Sequence, residues 1–192
     1  MLEEFLKLNI FVFILIFARM GTVLMFIPGL GSKRLFARSR LFLALAISFL
    51  LTPVLTGHLP TLPEPPIELG FLIAGEILAG GFLGIVVRAM FAATQTAGVV
   101  IAFVSAMANT MVYDPVVEQQ SAVVAGFLGT VANLLLFVTN MHHLLIEAMV
   151  ESYNLFQPGI MFNFADMLHL FARQIADTFK LGVQLASPFL VV

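Results

Sequence analysis

The chain reads as a succession of apolar runs separated by short polar segments. The first run covers about Phe5 to Ile27 and carries one charge, Arg19; Pro28, Gly29 and Gly31 end it, because proline and nearby glycines favour a turn over a helix. A second run, Leu41 to Leu55, stops before a Pro60-to-Pro66 linker. Leu69 to Val87 is a third, with Glu76 inside it and Arg88 closing it. The fourth, Met90 to Ala108, is rich in Ala, Thr, Ser and Gly, residues that suit close helix packing against protein. After the polar stretch Asn109 to Ser121, a fifth run from Ala122 to Thr139 leads into His142, His143 and a mixed segment ending at Pro158. Beyond it Phe164, Met167, Leu168, Phe171, Ile175 and Phe179 recur at helical spacing, while Asp166, Arg173, Gln174 and Asp177 lie elsewhere on the wheel. That pattern predicts an amphipathic helix over 164–180. A last apolar stretch begins at Leu181 and stops at Val192 without a polar anchor, which predicts that the native C-terminus lies further on, after at least one more helix.

Composition assigns these runs to a membrane. Sixty per cent of the 192 residues are hydrophobic and 10% are charged, with a mean hydropathy of +1.05. A soluble domain is about half apolar and a quarter charged, so this chain lacks the polar side chains to cover a water-facing surface. The expected fold is all-α: a multi-helix integral membrane protein built of helical hairpins, as one domain over 1–192. Lys33, Arg34, Arg38 and Arg40 place four of the nine basic residues in one loop, which the positive-inside rule puts on the cytoplasmic side. The Leu41–Leu55 run would reach only about 22 Å, short of the ~30 Å hydrocarbon core. It therefore begins inside the basic loop, tilts, or avoids spanning an ordinary bilayer.

Catalytic signatures are missing. The sequence has no cysteine, no HExxH, no GxSxG and no phosphate-cradling glycine loop. Adjacent His142 and His143 do not share a helix face and make a poor metal site. No basic tract with interleaved aromatics marks a nucleic-acid surface. These observations predict a protein that is not an enzyme, uses no cofactor or metal, and contacts lipid but no nucleic acid.

Two intramembrane charges stand out. Arg19 and Glu76 are costly near the centre of a membrane helix, on the order of 3 kcal/mol each on insertion scales. They either pair with one another, or each sits at a helix end or against another subunit, and the long arginine stem, which can snorkel, favours the second reading. A small-solute or ion transporter using Arg19 and Glu76 is the alternative function, although such transporters show paired repeats with broken helices and none is evident here. Gly80 and Gly84 form a GxxxG, which lets another helix approach backbone to backbone. The stretch with Met107, Asn109, Met111, Tyr113, Asp114 and Pro115 reads as an ordinary connection on composition, or as a segment dipping into a cavity. Twenty Phe and ten Met suit lipid-facing and core positions, and could also form a deformable seal.

The order of these features resembles the FliR family of flagellar biosynthesis and type III secretion, including its injectisome counterparts. The resemblance rests on Arg19-Met20-Gly21, Phe26 to Gly31, Arg40 to Ala46 with Pro53, Glu76 with Gly80 and Gly84, Gln95 to Gly98, Asp114-Pro115, His142 to Ile146, Pro158, and Leu185 to Pro188. Phe36 stands where many members have proline. The resemblance implies an export-gate subunit of the bacterial inner membrane, in a flagellar basal body or an injectisome base. Its partners there are FliP-type and FliQ-type membrane subunits in a hetero-oligomer, other export-apparatus proteins, and unfolded export substrates. It also implies that the segment from about Ala106 to Gln120, with Met107, Asn109, Met111, Tyr113, Asp114 and Pro115, is a loop that helps close the pore. A ring lifted out of the bilayer, as in that family, would account for the short second run.

Overall fold

The computed structural model describes residues 2–31, 36–63, 65–107, 111–114, 119–159 and 164–190. Among them are six helices: α1 (Leu2–Phe26), α2 (Ala37–Leu55), α3 (Pro66–Val104), α4 (Val123–Val138), α5 (Met141–Leu155) and α6 (Phe164–Leu190). A two-stranded antiparallel ribbon, β1 (Met111–Asp114) with β2 (Gln119–Ala122), separates α3 from α4. The architecture is that of an all-helical membrane protein carrying one short ribbon. Asn9–Phe26, Ala37–Leu55 and Pro66–Val104 are long and apolar enough to cross a membrane, and α4 with α5 make a fourth span if that broken pair counts as one.

Two helices differ from the pattern of apolar runs. α2 starts at Ala37, inside the basic loop, so its 19 residues reach about 28 Å and the apparent shortfall disappears. The third and fourth runs form one helix of 39 residues. Arg88 interrupts the hydropathy but not the backbone, because arginine is a good helix former and no proline lies within α3 after its first residue.

Several hydroxyls within the helices are satisfied locally. Thr22 donates to the Ala18 carbonyl, Ser48 to Ala44 and Thr52 to Ser48, each at 2.7–2.8 Å. Such back-bonding lets a polar side chain lie on an apolar face.

The chain packs as two compact units. One comprises Met1–Phe26, Lys33–Gly84 and His143–Phe162; the other comprises Ile27–Ser32, Ile85–His142 and Asn163–Val192. In the first, α1 buries Val12, Leu15, Ile16, Met20, Val23 and Leu24 almost completely. α2 lies on α1 through a narrow face of Ala44, Ser48 and Leu55. In the second, the C-terminal part of α3 packs with α4 and α6 around Ala97, Ile101 and Ala186, with a second cluster of Ala102, Ala122 and Ala125.

Glycine decides how closely these helices meet. A Cβ at Gly98 would lie 2.2 Å from Ala125 Cα, and one at Gly182 would lie 2.7 Å from Thr96 Cβ and 2.9 Å from the Ala93 carbonyl oxygen. The Thr96-Ala97-Gly98 segment thus receives α4 on one side and α6 on the other. By contrast, Gly70 near the start of α3 has open space around it.

Gly98→Ala is therefore expected to destabilise the protein by about 1–3 kcal/mol through overpacking, whereas Gly70→Ala should stabilise it by about 0.5–1 kcal/mol through backbone entropy. Thermal unfolding of the two variants in detergent, side by side, checks the opposite signs.

Candidate functional site

Arg19 lies in the middle of the buried stripe of α1, one turn from Leu15, Ile16 and Val23, and has no exposed surface. At this position the side chain cannot snorkel to water. Its guanidinium instead grips Glu76 on α3 in bidentate fashion: Nε donates to Oε2 at 2.7 Å and Nη2 to Oε1 at 3.0 Å. Nη2 also donates to the Phe156 carbonyl oxygen at 2.7 Å, and Nη1 to Ser152 Oγ at 3.2 Å. The Ser152 hydroxyl in turn donates to the Met149 carbonyl oxygen at 2.6 Å. The face of the guanidinium sits 3.8 Å from the centroid of the Tyr153 ring.

The pair thus has almost every donor used, as a buried charge requires. The Phe156 carbonyl stands just past the end of α5, where helix carbonyls are unpaired and the macrodipole is negative, so the cation caps that helix as well. Phe156 and Phe82 meet edge to face at 5.8 Å beside it. α1, α3 and α5 are therefore joined by one side chain. Ser152, Tyr153 and the Phe156 carbonyl carry no sequence signature that points to Arg19. The only trace is a Ser-Tyr pair in a segment otherwise mixed in character.

The two glycines belong to the same device. A Cβ at Gly80 would lie 2.5 Å from the Arg19 carbonyl oxygen, and one at Gly84 would lie 2.5 Å from Phe26 Cβ. Gly80 is one turn beyond Glu76 on α3, so backbone contact at Gly80 sets the separation across which the Arg19–Glu76 pair forms. Gly84 meets α1 at Phe26, further along in the same direction, so the two helices run parallel here.

The polar stretch of the other unit takes a different form from an irregular loop. α3 ends with Ser105 N–H donating to Ile101 at 2.9 Å and Met107 N–H to Ala102 at 2.8 Å. Between them Ala106 adopts φ 56°, the left-handed conformation that usually calls for glycine at this position. The chain then forms the ribbon, in the register Met111 with Ala122, Val112 with Ser121, Tyr113 with Gln120 and Asp114 with Gln119. α4 begins at the next residue. Met107 is partly exposed at the α3 cap. Met111, Tyr113 and Asp114 lie on β1, while Asn109 and Pro115 fall outside the described residues. Among the described residues no cluster of three His, Cys, Asp or Glu side chains could hold a metal ion.

Truncating one partner of the buried pair, as in Arg19→Met or Glu76→Gln, is expected to cost about 3–5 kcal/mol, and the double replacement Arg19→Met/Glu76→Met to recover much of that loss. A double-mutant cycle read by thermal unfolding of the detergent-solubilised protein measures the coupling. Additive losses would mean that the two charges do not act as a pair. In the same assay Ala106→Gly should stabilise by about 1 kcal/mol by relieving the left-handed strain.

Comparison with known proteins shows the family. The family model described as bacterial export proteins, family 1, matches residues 10–192. The flagellar biosynthetic protein FliR of Caulobacter vibrioides is 34% identical over 183 residues, which cover 95% of this chain and 73% of that protein. The flagellar biosynthetic protein FliR of Bacillus subtilis is 28% identical over 181 residues, covering 92% and 68% respectively. An all-helical membrane protein whose intramembrane charges neutralise one another, matched by this family over nearly its whole length, belongs to bacterial export proteins, family 1, as a membrane component of a flagellar-type export apparatus.

Proposed function

We propose that this chain is a core subunit of the export gate in the bacterial inner membrane. With FliP-type and FliQ-type subunits it forms the pore for unfolded export substrates, and its α3–α4 ribbon is the segment that closes that pore at rest. The observation that carries the reading is the ribbon itself. Each of its two strands leaves an outer edge of N–H and C=O groups, and no such edge is tolerated against hydrocarbon. A ribbon mounted directly on α3 and α4, whose facing surfaces are alanine and glycine, must therefore meet water or another protein. An aqueous pore supplies both.

The subunit acts passively. Substrate passage displaces the ribbon from the pore axis, and the sharp cap at Ala106 returns it along a restricted path. Met107 beside that cap, with Asn109, Met111, Tyr113, Asp114 and Pro115, belongs to the closing segment. Gly80, Gly84, Arg19 and Glu76 act instead on the shape of the subunit. With Glu76 held on both oxygens by Arg19 and shut off from water, nothing favours a transport role for it.

Two measurements test this reading. Co-expression with the neighbouring membrane subunits, followed by mass determination of the tagged complex in mild detergent, should give a discrete hetero-oligomer with one copy of this chain. Recovery of a monomer or a symmetric homodimer alone would overturn it. Deletion of residues 109–120 should leave assembly intact and make the membrane leaky to small solutes and ions; an equally tight membrane would make the ribbon a scaffold element only.

A further inference from the structure

α2 is barely covered by its own unit. Of its 19 residues only Ala44, Ser48 and Leu55 are buried, on the side that meets α1. Arg40, one turn before Ala44 on that side, is partly buried and engaged within the protein. The side turned away carries Phe42, Phe49 and Leu50, which are 68%, 72% and 69% exposed. Arg38, also exposed, stands one turn before Phe42. Arg38, Phe42 and Phe49 fall within an arc of about 40°, at about 100° per residue, so one cation heads a row of exposed phenylalanines.

That charge is not balanced nearby in the chain. Lys33, Arg34, Arg38 and Arg40 lie within eight positions, and no Asp or Glu occurs between Glu4 and Glu64. Lys33 and Arg34 fall outside the described residues; Arg38 has no ion pair among the described ones. Depth follows from length. α2 is long and apolar enough to cross a membrane, and its reach of about 28 Å puts Ala37 to Arg40 at one edge of the hydrocarbon core when Leu55 is at the other. The positive-inside rule makes the first edge the cytoplasmic one. Phe42 and Phe49 then lie about 6 and 16 Å deeper than Arg38, at the level of acyl chains.

We propose that this face of α2 binds an anionic phospholipid of the cytoplasmic leaflet, with its phosphate at Arg38 and its acyl chains along Phe42 and Phe49. A membrane-crossing α2 is all that this requires, so it stands apart from the export-gate reading. Two observations favour lipid over a partner helix. The close helix contacts of this protein run through glycine, at Gly80 on α1, Gly98 on α4 and Gly182 on α3. A row of phenylalanines instead holds a second backbone away and suits flexible chains. The other is charge: basic residues just cytoplasmic of a membrane helix are drawn to anionic headgroups, which supply the missing counter-charge at the right depth. A zwitterionic headgroup brings its own cation and neutralises less. With so few contacts to its own unit, α2 takes its depth in the membrane from this lipid.

The test offers the full chain, purified in mild detergent, equal amounts of phosphatidylglycerol and phosphatidylcholine, and reads the retained lipid by native mass spectrometry. The anionic lipid is expected to be preferred by at least about five-fold, and Arg38→Gln to remove most of that preference, one surface cation being worth about that factor. Arg38→Lys keeps it, and Phe42→Ala with Phe49→Ala lowers retention of both lipids. Arg173→Gln, an equal loss of charge on α6, leaves the preference unchanged, and inorganic phosphate does not compete. Equal retention of the two lipids, a loss with Arg173→Gln as large as with Arg38→Gln, or displacement by inorganic phosphate overturns the proposal. Photoactivatable phosphatidylglycerol in the membrane is the second measurement, and decides alone should Arg38→Gln fail to fold. It is expected to label α2 both in the chain expressed alone and in the complex recovered with its neighbouring subunits. Labelling of α2 in the chain alone but not in the complex means that a partner helix takes the face, and the proposal fails. If no complex is recovered, the export-gate reading falls, while labelling of the chain alone still decides for or against the lipid.

Discussion

A guanidinium with no access to water has to find all its hydrogen bonds inside the protein, and that requirement organises the first unit. Arg19 meets it with both oxygens of Glu76, the Ser152 hydroxyl and the Phe156 carbonyl. Arg19 on α1 and these partners on α3 and α5 join three helices, so none of them can move far without leaving a charge unpaired in an apolar setting. The net stability of such a pair is small compared with what is lost when half of it is removed. Its consequence is specificity: of the ways apolar helices could pack, only those that bring α1, α3 and the end of α5 together satisfy it.

Distance is set by glycine before it is sealed by charge. The backbone of Arg19 rests on Gly80, and Phe26 rests on Gly84, so α1 and α3 approach until the short glutamate side chain reaches the guanidinium. The second unit uses the same contact chemistry without the charge. Gly98 admits α4, Gly182 admits α3, and alanines fill the remaining space. In a membrane, where lipid tails are as apolar as leucine, close van der Waals contact between small residues supplies much of the driving force for helix association. Large side chains are accordingly turned outward: Phe42, Phe49, Phe71, Phe103 and Phe127 are all more than 60% exposed. This distribution fits a subunit surrounded by lipid and other subunits.

The proposed export gate joins one structural fact to the family: a ribbon whose edges exclude it from lipid, mounted on tightly packed small-residue helices. Such edges call for water or another protein, and a gate built of several subunits would supply both. Family membership supplies the export apparatus in which such a gate has a purpose.

Much of this was legible in the residues. Hydropathy alone locates α1 and α4 to within a few residues and marks Arg19 and Glu76 as intramembrane charges, because transfer of a side chain into lipid is a local property; the GxxxG spacing picks out Gly80 and Gly84. The helical recurrence of Phe164 to Phe179 likewise announced α6. The continuity of α3 through Arg88 is not legible in hydropathy, because a charge breaks an apolar run while leaving the hydrogen-bond ladder whole. The ribbon is not legible either, because short polar strands resemble any connection until they are paired. Only the tertiary structure decided that Arg19 and Glu76, 57 positions apart, choose each other, and that Ser152 and Phe156 complete the set. Partners for a buried charge are selected by which backbones can come close enough, and that is a property of three packed helices rather than of any one of them.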